Sequence, residues 1–295
     1  MNEKHISFSQ YSTFKDCPWK WKLLYKDKIK EFSPGIDAIL GTALHETLQH
    51  YLGVLYNKTE AEAHQIDLTN FLYKSLTKEI LKIEKEQKIS PKEYINKEVL
   101  YEYYEDGVEI LKFFSKKRKD YFIKRGFKLL GCEIKLSPEI RPGIKFVGYI
   151  DVVIQNESTG EVFLYDFKKS YRGWKAKTKA NPTKRAQLQL YKWFYSKEFN
   201  IDLSKIQIEF VILKQKIFEG GDWPEKRIQI VKPPASERTI KKTYQNFMDF
   251  INFCYTEDGD YNESAIYKKK PFTSACKYCP FTNKSEYCDK NGKSK

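Results

Sequence analysis

Gly148-Tyr149-Ile150-Asp151-Val152-Val153-Ile154, a polar stretch from Asn156 to Gly160, and Val162-Phe163-Leu164-Tyr165-Asp166-Phe167-Lys168 decide how the chain is read. Two apolar runs of strand formers around a short polar segment predict a β-hairpin with a loop of about five residues. Counting outward from the loop brings Asp151 and Asp166 within about one residue of directly opposite, where cross-strand Cβ atoms lie ~5 Å apart on one face. Lys168 follows Asp166 by two, so the strand period puts it on that face as well. Ile150, Val152, Leu164 and Phe167 are the neighbours of a buried strand, where charges are costly unless paired or bound to a metal.

A carboxylate pair beside a lysine suits a hard divalent cation and the oxygens of a scissile phosphate. The same residues could make an ordinary salt bridge at a strand end, and short motifs arise by chance. The remaining sequence has to separate the two.

A length of 295 residues allows one large domain or two modest ones, and 41% hydrophobic with 16% aromatic residues is a globular composition. No stretch approaches the ~20 apolar residues of a membrane span, and Met1 to Phe8 lacks the apolar core of a signal peptide, so a cytoplasmic protein is expected. The formal charge of +14 points to a polyanion, nucleic acid before an anionic membrane surface. Only seven of the 53 basic residues are arginine, a lysine bias that makes the charge supporting rather than decisive.

Along the chain, Ser7 and Ser9 offer caps for a short helix closed by Cys17-Pro18. The aromatic and basic residues from Trp19 to Tyr25 suit single-stranded nucleic acid, or else an amphipathic helix that buries its tryptophans. Ile39 to Tyr56 is helical by the spacing of Leu40, Leu44, Leu48, Tyr51, Leu52 and Leu55, with His45 just off that stripe in Gly41-Thr42-Ala43-Leu44-His45. Helical periodicity continues from residue 60 to about 125, broken near Ser90-Pro91, as an insertion or cap over a core. From Phe127 the pattern is strand-like: Leu130, Cys132, Ile134 and Leu136 alternate with Gly131, Glu133 and Lys135, and Pro138 to Gly143 turns into the hairpin. Glu133 is either a third carboxylate of the site or a solvated strand residue.

After Lys168 a basic loop with Lys169, Arg172, Lys175 and Trp174 leads to a helix from about Thr183 to Phe199, where Gln187 and Tyr191 share a face. Strands follow at Lys205 to Leu213 and Arg227 to Val231, then a helix through Phe247, Ile251 and Cys254 with Cys254 as a core thiol. The six cysteines, in a reducing compartment, argue for metal ligation or buried thiols rather than disulfides. Cys276-Lys277-Tyr278-Cys279-Pro280, with Cys288 beyond, has metal-ligand spacing but no fourth local cysteine. Cys17, followed by proline as Cys279 is, is the natural fourth. Spacing alone makes a tetrahedral zinc site the default and unrelated thiols the alternative.

Taken in order, these elements resemble the PD-(D/E)xK nuclease superfamily, specifically the RecB-like branch with an iron-sulfur cluster found in AddB-type nucleases and CRISPR-associated exonucleases. The resemblance spans nearly the whole chain. It implies an α/β fold with a restriction-endonuclease-like core, a mixed central β-sheet flanked by helices, carrying a helical insertion and a cysteine-rich metal-cluster tail. Within one nuclease domain over 1–295, residues 1–59 would hold the N-terminal helices with the first cluster cysteine and the GxxxH element. Residues 60–126 would be the helical insertion, 127–232 the core, and 233–295 the last helix and the iron-sulfur tail.

The same resemblance implies that His45, Asp151 and Asp166 bind Mg²⁺ or Mn²⁺ and that Lys168 orients or activates the attacking water. It makes Gln187 and Tyr191 supports of the site and of the DNA backbone, and Glu133 a further catalytic carboxylate. Cys17, Cys276, Cys279 and Cys288 would hold a [4Fe-4S] cluster. Two features depart from the pattern: the long gap between Cys279 and Cys288, and the central helical insertion.

The function implied is a metal-dependent DNA exonuclease acting on single strands or duplex ends, in recombination, repair, phage replication or CRISPR adaptation. No GxxxxGK[ST] loop is present, so a helicase would be a separate partner. The alternative from another class is a non-catalytic nucleic-acid-binding protein with a structural zinc site, which would not need Asp151, Asp166 and Lys168 together. A zinc-stabilised membrane-surface protein would need an amphipathic, lysine-faced helix that the sequence lacks.

Overall fold

Thirteen residues of unbroken strand, β4 (Ile144–Asn156), form the axis of the molecule. The computed structural model describes residues 3–29, 35–122, 126–218, 220, 225–270, 274–282, 284 and 286–288. The start of β4 pairs in parallel with β1 (Lys4–Ser7) and antiparallel with β3 (Glu139–Arg141). Its remainder lies antiparallel to β2 (Phe127–Leu136) and to β5 (Val162–Ser170). β6 (Ile206–Lys214) runs parallel to β5, and β7 (Ile228–Val231) antiparallel to β6, which completes one mixed sheet among the described residues.

The helices are, in chain order, α1 (Phe8–Asp16), α2 (Pro18–Trp21), α3 (Ile36–Asn57), α4 (Glu60–His64), α5 (Leu68–Gln87), α6 (Pro91–Tyr94), α7 (Lys97–Tyr121), α8 (Ala176–Ala180), α9 (Pro182–Glu198) and α10 (Glu237–Cys254). A π-helical turn over Lys22–Lys26 follows α2. The parallel β5–β6 pair is bridged by α8 and α9, because parallel neighbours cannot be joined by a tight turn. Both faces of the sheet are covered. In β6, Phe210 and Ile212 pack with Phe194 of α9 and Phe247 of α10, while Val211 and Leu213 pack with Leu44 of α3 and Phe114 of α7. This alternation explains the apolar run Phe210-Val211-Ile212-Leu213 within β6: each of the four is buried, on one side or the other.

The hairpin forms as its residues dictate. Asn156 closes the loop by accepting from the backbone N–H of Ser158 at 3.0 Å and of Thr159 at 3.3 Å. Gly160 supplies the left-handed φ of +70° that the turn back into β5 needs. The register Val152 opposite Tyr165, extended by one step, sets Asp151 opposite Asp166.

Three local expectations are corrected. β1 was not expected at all; it has only four residues, of which Ile6 alone is fully buried, too few for an alternation to stand out. The stretch from Pro138 to Gly143 is not only a turn but carries β3. Leu130 does not share the inward stripe of β2, because a register shift between Leu129 and Gly131 turns it out to 39% exposure. Residues 123–125, at the end of the expected helical stretch, lie outside the described residues. Among the described residues no helix is long and apolar enough to cross a membrane.

Candidate active site

Asp151 and Asp166 are 7% and 1% exposed, on strands whose neighbours Ile150, Val152, Leu164 and Phe167 are wholly buried. Each carboxylate is held by a different part of the fold. Oδ2 of Asp151 accepts the backbone N–H of Phe167 across the hairpin at 2.6 Å, and Nδ1 of His45 on α3 lies 3.3 Å from the same oxygen. Oδ1 of Asp166 accepts from Nε2 of Gln187 on α9 at 2.8 Å. Lys168 Nζ stands 2.7 Å from Oδ2 of Asp166 and is the ion-pair partner of that buried oxygen.

The electrostatics follow from the burial. Desolvation pushes Asp166 up to about 6 in spite of Lys168, and the like charge of Asp151 adds to it. Burial opposes protonation of His45, but its bond to Asp151 and the charges of both carboxylates outweigh this and hold the imidazole above its usual range. Lys168 behaves likewise: burial disfavours its charge, and Asp166 and Asp151 more than restore it. Two negative and two positive groups thus compensate one another in a largely dry site.

The second layer is built from helices on either side. Gln187 also reaches the hydroxyl of Tyr191, 3.4 Å away and one helical turn on. Gly148 lets that tyrosine in, since a Cβ there would meet the Tyr191 ring at 2.7 Å and Phe146 at 2.9 Å. On the opposite side Gln49, one turn after His45 on α3, donates to Glu133 at 2.6 Å and approaches the backbone carbonyl of Asp151 at 3.5 Å. Glu133 stands opposite Asp151 by register and carries a left-handed φ of 52°, so the backbone of β2 is distorted beside the site.

His45 and Lys168 face a cleft of about 610 Å³ between α3, β5 and α7. Gly41 and Thr42 line it on one side and Lys169, Tyr171 and Tyr103 on the other. Lys169 is fixed by Asp37, by Gln215 at 3.0 Å, and by the Tyr103 ring, whose centroid is 4.9 Å away. Gln49, Tyr103, Tyr171 and Gln215 were not singled out from the sequence. Gln49 was reachable as the residue one turn from His45, and Tyr171 as the aromatic three residues after Lys168. Tyr103 and Gln215 join the cleft only through tertiary packing.

Burial sets apart one cysteine, Cys254, as the expected core thiol. Cys254 is fully buried, and Cys132 is half-buried with its thiol 3.8 Å from the Gln49 carbonyl. Cys17, Cys276, Cys279 and Cys288 line one small cavity of about 30 Å³. The tail is brought there by contacts other than sulfur. Trp19 donates to the carbonyl of Tyr287 at 2.9 Å, and the fully buried Trp21 stacks on Tyr267 with centroids 5.6 Å apart. Burial raises the Cys288 thiol; Lys269 works against this and the three other cysteines add to it. Among the described residues, no three His, Cys, Asp or Glu side chains are closed around a metal position, here or at the carboxylates. The carboxylates engage His45 and Lys168 instead.

Comparison with known proteins agrees with this geometry. None of the curated proteins matches the chain. Among solved structures, one described as "Crystal structure of SSO0001" is similar over 97% of this chain and 98% of that one, with 15% identity and a TM-score of 0.32, too low to build on. The family comparison is decisive, because it spans the hairpin and α9 together. Residues 5–284 match the family described as the PD-(D/E)XK nuclease superfamily, and with a carboxylate pair and a lysine meeting on a mixed sheet flanked by helices, the chain belongs to that superfamily of metal-dependent nucleases.

Proposed function

We propose that the chain is a DNA exonuclease of the RecB-like, AddB-like branch, acting on single strands or duplex ends. In this reading His45, Asp151 and Asp166 hold Mg²⁺ or Mn²⁺, Lys168 orients the attacking water, and Glu133 with Gln49 steadies the site from β2. Gln187 and Tyr191 support the carboxylates and the DNA backbone. The observation that supports it best is the buried carboxylate pair, Asp151 and Asp166, with Lys168 beside it at the edge of a cleft. The donor set fits a hard cation: two carboxylates and one imidazole.

When bound, the divalent cation supplies an acidified water and neutralises charge gathering on the phosphate. The protein's own groups do the positioning. Gln187 ties down Oδ1 of Asp166 and thereby leaves Oδ2 turned to the site. The Phe167 N–H fixes Asp151 from inside the hairpin. Lys168, 33% exposed, carries donors for the water or for a non-bridging phosphate oxygen.

Because Asp166 is held up near 6, a cation competes with a proton for it. Affinity for Mn²⁺ should fall as the pH is lowered, by up to about tenfold per unit below pH 6 for the Asp166 proton, with a further loss as His45, held above its usual range, takes up its own. Calorimetric titration of the protein with MnCl₂ from pH 5 to 8 measures this; a pH-independent affinity would contradict the carboxylate assignment.

The preference for single strands rests on Tyr171, whose ring is 57% exposed at the cleft. Its backbone is fixed, since the Lys216 N–H donates to the Tyr171 carbonyl at 2.8 Å. An exposed ring on a tethered backbone beside lysines offers a stacking platform for an unpaired base, worth ~1–3 kcal/mol. Tyr171→Ala should therefore weaken single-stranded DNA by roughly 5- to 100-fold with Tyr171→Phe near the parent value. Equal binding of single strands by Tyr171→Ala and the parent would remove that preference from the proposal.

The proposal keeps the division of the chain given by the resemblance, with α4 to α7 as the inserted helices and the segment after residue 233 as the metal-bearing tail. For that tail we propose a four-thiolate metal site of Cys17, Cys276, Cys279 and Cys288. The resemblance favours a [4Fe-4S] cluster, with zinc as the alternative. Recombination, repair, phage replication and CRISPR adaptation are the settings this reading allows, with any helicase as a separate chain.

A further inference from the structure

We propose that a second groove, walled by α1, the start of α9 and α10, binds the phosphodiester backbone of the substrate at a distance from the scissile bond. The proposal rests on the nuclease reading above. The groove has a volume of about 500 Å³ and is lined by Lys15, Arg185, Arg238 and Lys242, with no carboxylate in its walls. Some surface cations elsewhere find acids, as Lys4 does with Asp260, Lys26 with Glu263, and Lys216 with Glu102 and Asp106. These four have no ion-pair partner among the described residues. Glu237, beside Arg238 on α10, is engaged by Lys241 at 2.7 Å.

Four cations gathered in one concavity repel one another, and the fold bears that cost most readily if an anion fills the space. The frame that presents them is fixed. Gln189 of α9 donates to the Pro234 carbonyl at 2.7 Å and accepts from Thr243 of α10 at 2.8 Å, which locks the two helices at the base of the groove. Arg185 spends its Nε on the Lys179 carbonyl at 2.5 Å, which sets the fork of the guanidinium and keeps its terminal amino groups for a ligand.

A chain of phosphates fits better than a single one, because the cations come from three separate helices. The groove is also coupled to the catalytic carboxylates through α9. Arg185 precedes by two residues the Gln187 that holds Asp166, so the two sites are ~3 Å apart along the helix axis and on opposite flanks of a helix ~10 Å across. A strand reaching from one to the other must be a few nucleotides long.

The test uses the full chain carrying Arg238→Gln together with Lys242→Gln, both exposed on α10. Its affinity for a fluorescein-labelled 20-nucleotide single strand is read by anisotropy in EDTA over a NaCl series, which needs no cleavage. Hydrolysis of bis(p-nitrophenyl) phosphate with Mn²⁺ is read in parallel, since that ester is too short to reach the groove. The expected result is a roughly tenfold weaker Kd at low salt and a slope of log Kd against log salt reduced by ~1.4, about 0.7 for each lost phosphate contact, with the small ester cut at the parent rate. Unchanged affinity and slope overturn the groove. Loss of small-ester hydrolysis in step with binding overturns it as well, because the change would then act through the catalytic site. A parent protein that binds the strand with the expected slope but hydrolyses nothing overturns the nuclease reading while the groove stands.

Discussion

Asp166→Ala and Lys168→Ala proteins should bind single-stranded DNA within about twofold of the parent and cut it slower by on the order of 10³-fold or more, ~4 kcal/mol of barrier. The separation follows from where the charges lie. Asp166 is 1% exposed and Lys168 stands 2.7 Å from its Oδ2, so removing either group acts at this buried centre rather than on the wider surface that attracts the strand. Affinity comes from the basic exterior, which neither substitution alters. Removing Asp166 also removes a negative charge, which should tighten binding slightly if it changes at all. Parallel anisotropy in EDTA and gel cleavage in Mn²⁺ read the two quantities separately, and retained cleavage in either variant would dismiss that residue from the chemistry.

Cys17→Ser should release the bound metal and lower the melting temperature by roughly 10 °C, since a structural metal contributes several kcal/mol and ~1 kcal/mol shifts a chain of this size by a few degrees. Cys17 caps the junction of α1 and α2, while its partners lie more than 250 residues away in sequence, as Cys276, Cys279 and Cys288 around the same void. Closing so long a loop costs little more than closing a short one, and the tail is already held by Trp19 and Trp21. Cys279→Ser should behave as Cys17→Ser does, whereas Cys132→Ser and Cys254→Ser should keep full metal content. Anaerobically purified parent protein analysed for iron, acid-labile sulfide and zinc identifies the metal. Full retention of metal by Cys17→Ser would detach the N-terminal cysteine from the site.

Much of this site was legible because its residues are local or periodic. Asp151, Asp166 and Lys168 sit in one hairpin whose loop length sets their register, and Leu44, Leu48, Tyr51 and Leu55 mark α3 so clearly that His45 is placed beside them. The parts that were not legible depend on distant packing. Tyr103 comes from α7 and Gln215 from the end of β6, and no spacing in the sequence links them to Lys169. Leu130 misled because a register shift leaves no trace in composition. Gly148 belonged to a motif, but its reason, the close approach of the Tyr191 ring, needed the helix in place.

The account stands most directly on one experiment: 5′-labelled single-stranded DNA incubated with the parent protein in Mn²⁺, in EDTA, and in Mn²⁺ with Asp166→Asn in place of the parent. Asp166→Asn keeps the side-chain shape and the reach of Gln187 while removing the charge that would hold the cation. Degradation by the parent in Mn²⁺ alone, with intact DNA in the other two reactions, is the predicted result. Intact DNA in all three, or degradation by Asp166→Asn at the parent rate, would contradict it.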